Sequence, residues 1–182
     1  MALSITRPER TVTVCLDGSI TTEHERLSAQ LEEKRKQKIL DPRLNDPTRE
    51  LAQRIVALEE RARNASVDFL IRGLKRSDWQ KFVDAHPERK DNEADETYGF
   101  NTDTLFDAVL SSEDPASIVA VTKTEGGKAE KFSPADWAEF ADQLTDAQYT
   151  KFQVAVLGAN KGLQDLPFSL AAYRETRPSD ES

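Results

Sequence analysis

Residues 48–65 read TRELAQRIVALEERARNA. Leu51, Ile55, Leu58, Ala62 and Ala65 recur in this stretch at spacings of four and three, the seam of a heptad repeat. The pattern predicts a helix over 48–64 with a thin apolar stripe. Upstream, from about Thr21 to Gln37, the composition is again helical and highly charged. The same spacing there picks out Ile20, His24, Leu27, Leu31, Lys34 and Lys38, so this seam starts apolar and turns polar toward its far end. Asp41-Pro42 and Asp46-Pro47 bracket a short turn between the two stretches. Two helices of about 17 residues, roughly 25 Å each, joined by a short connection, predict an antiparallel helical hairpin.

A hairpin returns the chain to where it left, and both of its flanks alternate. Val12, Val14 and Leu16 share one face of Thr11–Leu16 before Asp17-Gly18 breaks the pattern. Val67, Phe69 and Ile71 share one face of the stretch that ends at Gly73. Both read as short strands, placed to pair antiparallel at the base of the hairpin. Residues 1–10 read as a flexible leader.

Short helices follow. Ser77 and Gln80 have capping-box spacing, and behind them Trp79, Phe82, Val83 and His86 form one helical face ended by Pro87. Glu88–Thr97 is an acidic stretch, read as a solvated linker. Asn101 is placed to cap a helix carrying Leu105, Phe106, Val109 and Leu110. Ile118–Val121 with Gly126-Gly127 reads as a strand or an irregular excursion within 113–131, with a small hairpin as one form of it. Ser133, Pro134 and Asp136 mark a helix start, with Phe132 and Trp137 as its staple. Thr145 and Gln148 form a second capping box, stapled by Leu144 and Tyr149. Trp137, Phe140, Leu144, Tyr149 and Phe152 make up the expected core. The expected fold is mainly α (α+β): a helical bundle with a small antiparallel sheet and a projecting helical hairpin. Residues 11–162 form a single domain, with the hairpin inserted at 21–64 and a helical core at 75–162. A C-terminal tail spans 163–182.

Composition narrows the function. Apolar residues make up 37% and charged residues 32% of the chain, with a net charge of −8. That balance leaves a modest core and long solvated faces, and it disfavours nucleic acid and anionic lipid as partners. The Lys and Arg residues of the hairpin alternate with Glu, as a solvated helix face does. No apolar run approaches a membrane span, and the N-terminus has no signal-peptide core. One cysteine, Cys15, permits no internal disulfide and suits a reducing cytoplasm.

Signals of catalysis are weak. Gly158–Gly162 lacks the spacing of a phosphate loop. Neither His24 nor His86 has cysteines at zinc-ligand spacing. A Cys15–histidine nucleophile pair competes with a small buried thiol, the commoner state of such a residue. The acidic stretch lacks the order of a calcium loop. The two tryptophans sit at core-facing positions. The expectation is a binding protein, without a cofactor and not an enzyme.

Several soft motifs recur in a fixed order. They are Ser66-Val67-Asp68-Phe69, Ser77-Asp78-Trp79, Ala85-His86-Pro87, an acidic loop, and Gly99–Thr104 running into Leu105–Leu110. Ser133–Trp137, Gln143–Tyr149 and Leu157–Asn160 follow. In that order, over about residues 10–162, the chain resembles the tail assembly chaperones of actinobacterial phages and prophages. It departs from them in having Glu88 after His86-Pro87 where a second proline is usual. It also has a longer, more glycine-rich Thr122–Lys131 segment.

The resemblance implies a protein that works in the host bacterial cytoplasm and is not expected in the mature virion. It implies binding to the tape measure protein and recruitment of major tail protein as the tube grows. It also implies that this chain corresponds to the shorter of two forms, the longer being made by frameshifting. A structural minor tail or neck component is the alternative, and a regulatory adaptor carrying a coiled-coil hairpin is a third. The candidate partner-binding residues are Leu163, Leu166, Phe168, Leu170 and Tyr173 in the tail and Leu27, Leu31, Leu51 and Ile55 on the hairpin seam. The tail residues serve either to bind a partner, self-association included, or to fold back and complete the core.

Overall fold

The computed structural model describes residues 4–40 and 48–162. Strand β1 (Glu9–Cys15) leads into helix α1 (Gly18–Leu40); helix α2 (Thr48–Asn64) leads back into strand β2 (Ser66–Arg72). Then come α3 (Arg76–Ala85), α4 (Glu93–Tyr98), α5 (Leu105–Ser111), β3 (Ile118–Lys123), a 3-10 turn (Pro134–Asp136), α6 (Trp137–Ala141) and α7 (Asp146–Asn160). The fold is mainly α with one small antiparallel sheet in the order β1-β2-β3.

β1 and β2 pair as the hairpin geometry requires, with Val12 opposite Phe69 and Val14 opposite Val67. β3 joins on the other side of β2, with Val121 opposite Phe69 and a register shift between Leu70 and Ile71. One face of the sheet is apolar and buried. The other is polar: the Asp68 carboxylate accepts from Thr13 Oγ1 at 2.6 Å and Thr124 Oγ1 at 3.0 Å, and Arg72 pairs with Glu9 at 2.7 Å. This is the alternation of a sheet covered on one side only. Phe69 lies at the centre of the covered face, with the rings of Phe140, Phe132 and Phe152 at 4.9, 5.1 and 5.1 Å. Trp137 is buried beside Phe152 at 4.9 Å. Gly73 lets α7 come close, because a side chain there would collide with the Ala159 carbonyl. The Leu74 amide donates to Asn160 Oδ1 at 2.7 Å and fixes that contact.

α1 and α2 pack chiefly on each other and project from the sheet. Their apolar residues form a second cluster apart from the main core: Ile20, Leu27, Ile55 and Leu58, flanked by Leu31, Leu51, Ala62 and Ala65. The hairpin starts at Gly18, earlier than Thr21, because Asp17 accepts from the Ser19 amide at 3.0 Å and its hydroxyl at 2.6 Å.

Other expectations need correction. The strand begins at Glu9, so the end of the expected leader is structured: the Pro8 carbonyl accepts from the Gly73 amide, and Arg7 donates to the Gly73 carbonyl. Leu16 is off the strand and 60% exposed. Helix α3 starts at Arg76 behind Lys75, which makes no side-chain cap, and the Ser77–Gln80 box does not form. Its apolar face is only half-buried against the core. Asn101 caps the turn before α5, accepting from the Asp103 amide at 3.0 Å. The 113–131 excursion contains β3 and folds back on it, since Lys123 donates to the Lys128 carbonyl and Glu130 donates to Val121. The box at Ser133 and Asp136 forms, but it opens a 3-10 turn before α6. The box at Thr145 and Gln148 opens α7 directly.

Candidate interaction surfaces

The seam residues singled out from the sequence do come together. Leu27 is fully buried and Ile55 nearly so, while Leu31 and Leu51 are half-buried farther out. They face one another between α1 and α2, where they hold the hairpin closed. The surface that the hairpin offers outward is therefore mostly polar, with ion pairs Arg54–Glu23 and Arg26–Glu23 and a His24–Glu59 contact at 3.5 Å. Val56 stands out from it, 58% exposed. At the base, a cleft of about 640 Å³ separates α1 from the α6–α7 junction, with Leu16, Thr21 and Glu25 on one side and Phe140, Leu144 and Gln148 on the other. Leu163, Leu166, Phe168, Leu170 and Tyr173 lie outside the described residues.

Two polar centres were not legible in the sequence as such. The acidic stretch is not a solvated linker. Asp95, within α4, is fully buried. Its carboxylate accepts from Arg89 Nε at 2.7 Å, Arg89 N at 3.0 Å, Arg89 Nη2 at 3.1 Å, and the amide and hydroxyl of Thr102 at 3.0 and 2.7 Å. Arg89 also pairs with Asp103. The Arg89 guanidinium, chiefly, holds the Asp95 carboxyl well below the usual carboxylate range. This centre pins the loop that carries Phe100, whose ring meets Trp79 and Phe106 and lies under the Lys161 ammonium at 5.5 Å. The one available signal was a basic pair, Arg89-Lys90, inside an acidic run.

The second centre is Asp107, on α5. Its Oδ1 accepts from Trp137 Nε1 at 2.8 Å and from the Tyr149 hydroxyl at 2.9 Å, joining α5, α6 and α7. Burial, and then the bond to Asp107, push the Tyr149 phenol above its usual range. In both centres the charges are engaged in holding segments together.

Cys15 is half-buried, with its thiol 3.5 Å from the Asp17 carbonyl. His86 bonds to Thr104 at 2.8 Å and His24 sits beside Glu59, so neither histidine is bonded to Cys15. Among the described residues no cluster of His, Cys, Asp and Glu is arranged to hold a metal ion. No described helix is long and apolar enough to cross a membrane. No family model matches the chain, and neither a curated protein nor a solved structure matches it.

Proposed function

We infer that this chain is a tail assembly chaperone that binds the tape measure protein and helps recruit major tail protein during tube assembly. The observation that carries the reading is the order of soft motifs over about residues 10–162, from Ser66–Phe69 to Leu157–Asn160. The architecture is compatible with it. A hairpin with its own apolar seam stands away from a compact core and gives a long arm for contact with a partner. A net charge of −8 keeps complexes of such a carrier apart. A tape measure helix is amphipathic before the tube encloses it and needs cover against aggregation. The protein acts by binding and not by catalysis.

The test is co-expression with the tape measure protein encoded beside its gene. The chain should raise the soluble fraction of that protein and co-purify with it. Purified virions should lack the chain. Its presence there at fixed stoichiometry would make it a minor tail or neck component instead.

A further inference from the structure

β1 lies at an edge of the sheet, with β2 on its inner side. Gly73 donates to the Pro8 carbonyl and Leu16 donates to the Ala65 carbonyl, each at 2.9 Å. Bonded groups alternate along an antiparallel ladder. The even-numbered residues of β1 therefore turn their amides and carbonyls to β2, and Glu9, Thr11, Thr13 and Cys15 turn theirs to the open edge. The strand contains no proline, and its pairing with β2 has no bulge, so it lacks two usual defences of an edge.

Helix α7 continues past this edge. Thr150, Val154 and Gly158, one residue per turn, form a shelf beside β1 that closes an open groove of about 510 Å³ with Arg10–Thr13. Val154 is 63% exposed on that shelf, and Gly158 keeps it low where the Arg10 side chain crosses. Arg10 and Lys151 line the same groove, and neither belongs to an ion pair among the described residues. In a chain with a net charge of −8 this makes a locally cationic, apolar trough; the Glu9 carbonyl on its rim accepts from Arg10 Nη1 at 3.1 Å, and the outward backbone groups of Thr11 and Thr13 have no bond among the described residues.

We propose that this groove takes an extended segment of another polypeptide by strand addition. The added segment bonds to Thr11 and Thr13, lays alternate apolar side chains on Val154, and sets a carboxylate near Arg10 or Lys151. The surface is distinct from the hairpin, and the proposal stands whether or not the tail-assembly reading does.

The probe is a synthetic peptide of alternating valine and threonine with a glutamate at each end, added to the intact, isotope-labelled chain. The Thr11 and Thr13 amides should shift and exchange at least about tenfold more slowly, while those of Val12 and Val14, already bonded to β2, should not change. N-methylating one alternate set of peptide amides should abolish binding, and methylating the other should leave it, because only one set faces β1. Thr11→Pro deletes an outward donor and leaves the β2 ladder whole, and should weaken binding at least about tenfold. Val154→Glu, at an exposed position, should do the same and serves if the proline variant does not fold. No response at Thr11 and Thr13 with about 1 mM peptide, or equal loss from both methylated sets, would overturn the proposal. Protection of these amides in the free chain would also overturn it. Protection lost on dilution would name a second copy as occupant, and protection independent of concentration a segment of the same molecule.

Discussion

Replacing Trp137 with alanine would remove the largest fully buried side chain of the molecule. Its ring is packed against Phe152 at 4.9 Å, Phe140 at 6.1 Å and Tyr149 at 6.2 Å, and its indole N–H donates to Asp107. Truncation of a buried aromatic costs about 3–5 kcal/mol from lost transfer energy and the cavity left behind. For a domain of this size each kcal/mol lowers the thermal midpoint by about 2–4 °C, so Trp137→Ala should lower it by roughly 6–20 °C. Trp137→Phe separates the parts: it keeps most of the packing and loses the bond to the Asp107 carboxylate, for about 1.5–3 kcal/mol. If the bond accounts for that loss, Trp137→Phe should cost little more in an Asp107→Ala background, which has no acceptor left for the indole, than Asp107→Ala costs alone. Calorimetry with near-ultraviolet circular dichroism reads both variants. A midpoint shift under about 2 °C for Trp137→Ala would refute the placement of this residue at the centre of the core.

Asp95→Asn should lower the thermal midpoint at neutral pH and flatten its acid dependence. The folded carboxyl is depressed, so its contribution is present above the unfolded value of about 3.9 and is lost as pH falls below that toward the folded value; a midpoint-against-pH series checks this. The Tyr149 phenol is raised, so its contribution holds below the unfolded value of about 10 and fades as pH climbs past it. An ultraviolet titration should show one tyrosine ionising late in the wild type and earlier in Asp107→Asn. Leu27→Ala, in the separate cluster of the hairpin, should cost that unit about 2–5 kcal/mol. Far-ultraviolet helicity should then fall while the Trp137 signal stays, and a joint collapse of both would mean that the hairpin and the core are one cooperative unit.

The hairpin, the strands at its base and the two C-terminal caps were legible because each is a local pattern. A 4-3 spacing fixes which residues meet across two helices, and Thr145 meets Gln148 within one turn. The Asp95 centre was not legible as a buried site, because the composition of residues 88–97 speaks for solvation. Burial there depends on Arg89 and Thr102 arriving from either side of α4. Ser77 and Gln80 failed as a box because the helix starts two residues earlier, at Arg76 with Lys75 in place of Ser77 as its cap, a choice no local rule decides. The open edge of β1 depends on where β3 pairs, and the strand itself carries no mark of that. Of the candidate binding residues, Leu27 and Ile55 share the buried cluster between α1 and α2. Because they are buried in the seam, a partner of the proposed kind would meet the outside of the hairpin, or these residues only where the hairpin opens.

The proposed function is tested most directly by co-expression with a tape measure protein from the same genome, measuring how much of it remains soluble with the intact chain, with Leu27→Asp, and without the chain. The account predicts a soluble complex with the intact chain, a marked loss with the hairpin variant, and precipitate without it. A tape measure protein equally insoluble in all three, with the intact chain folded and monodisperse, would contradict it.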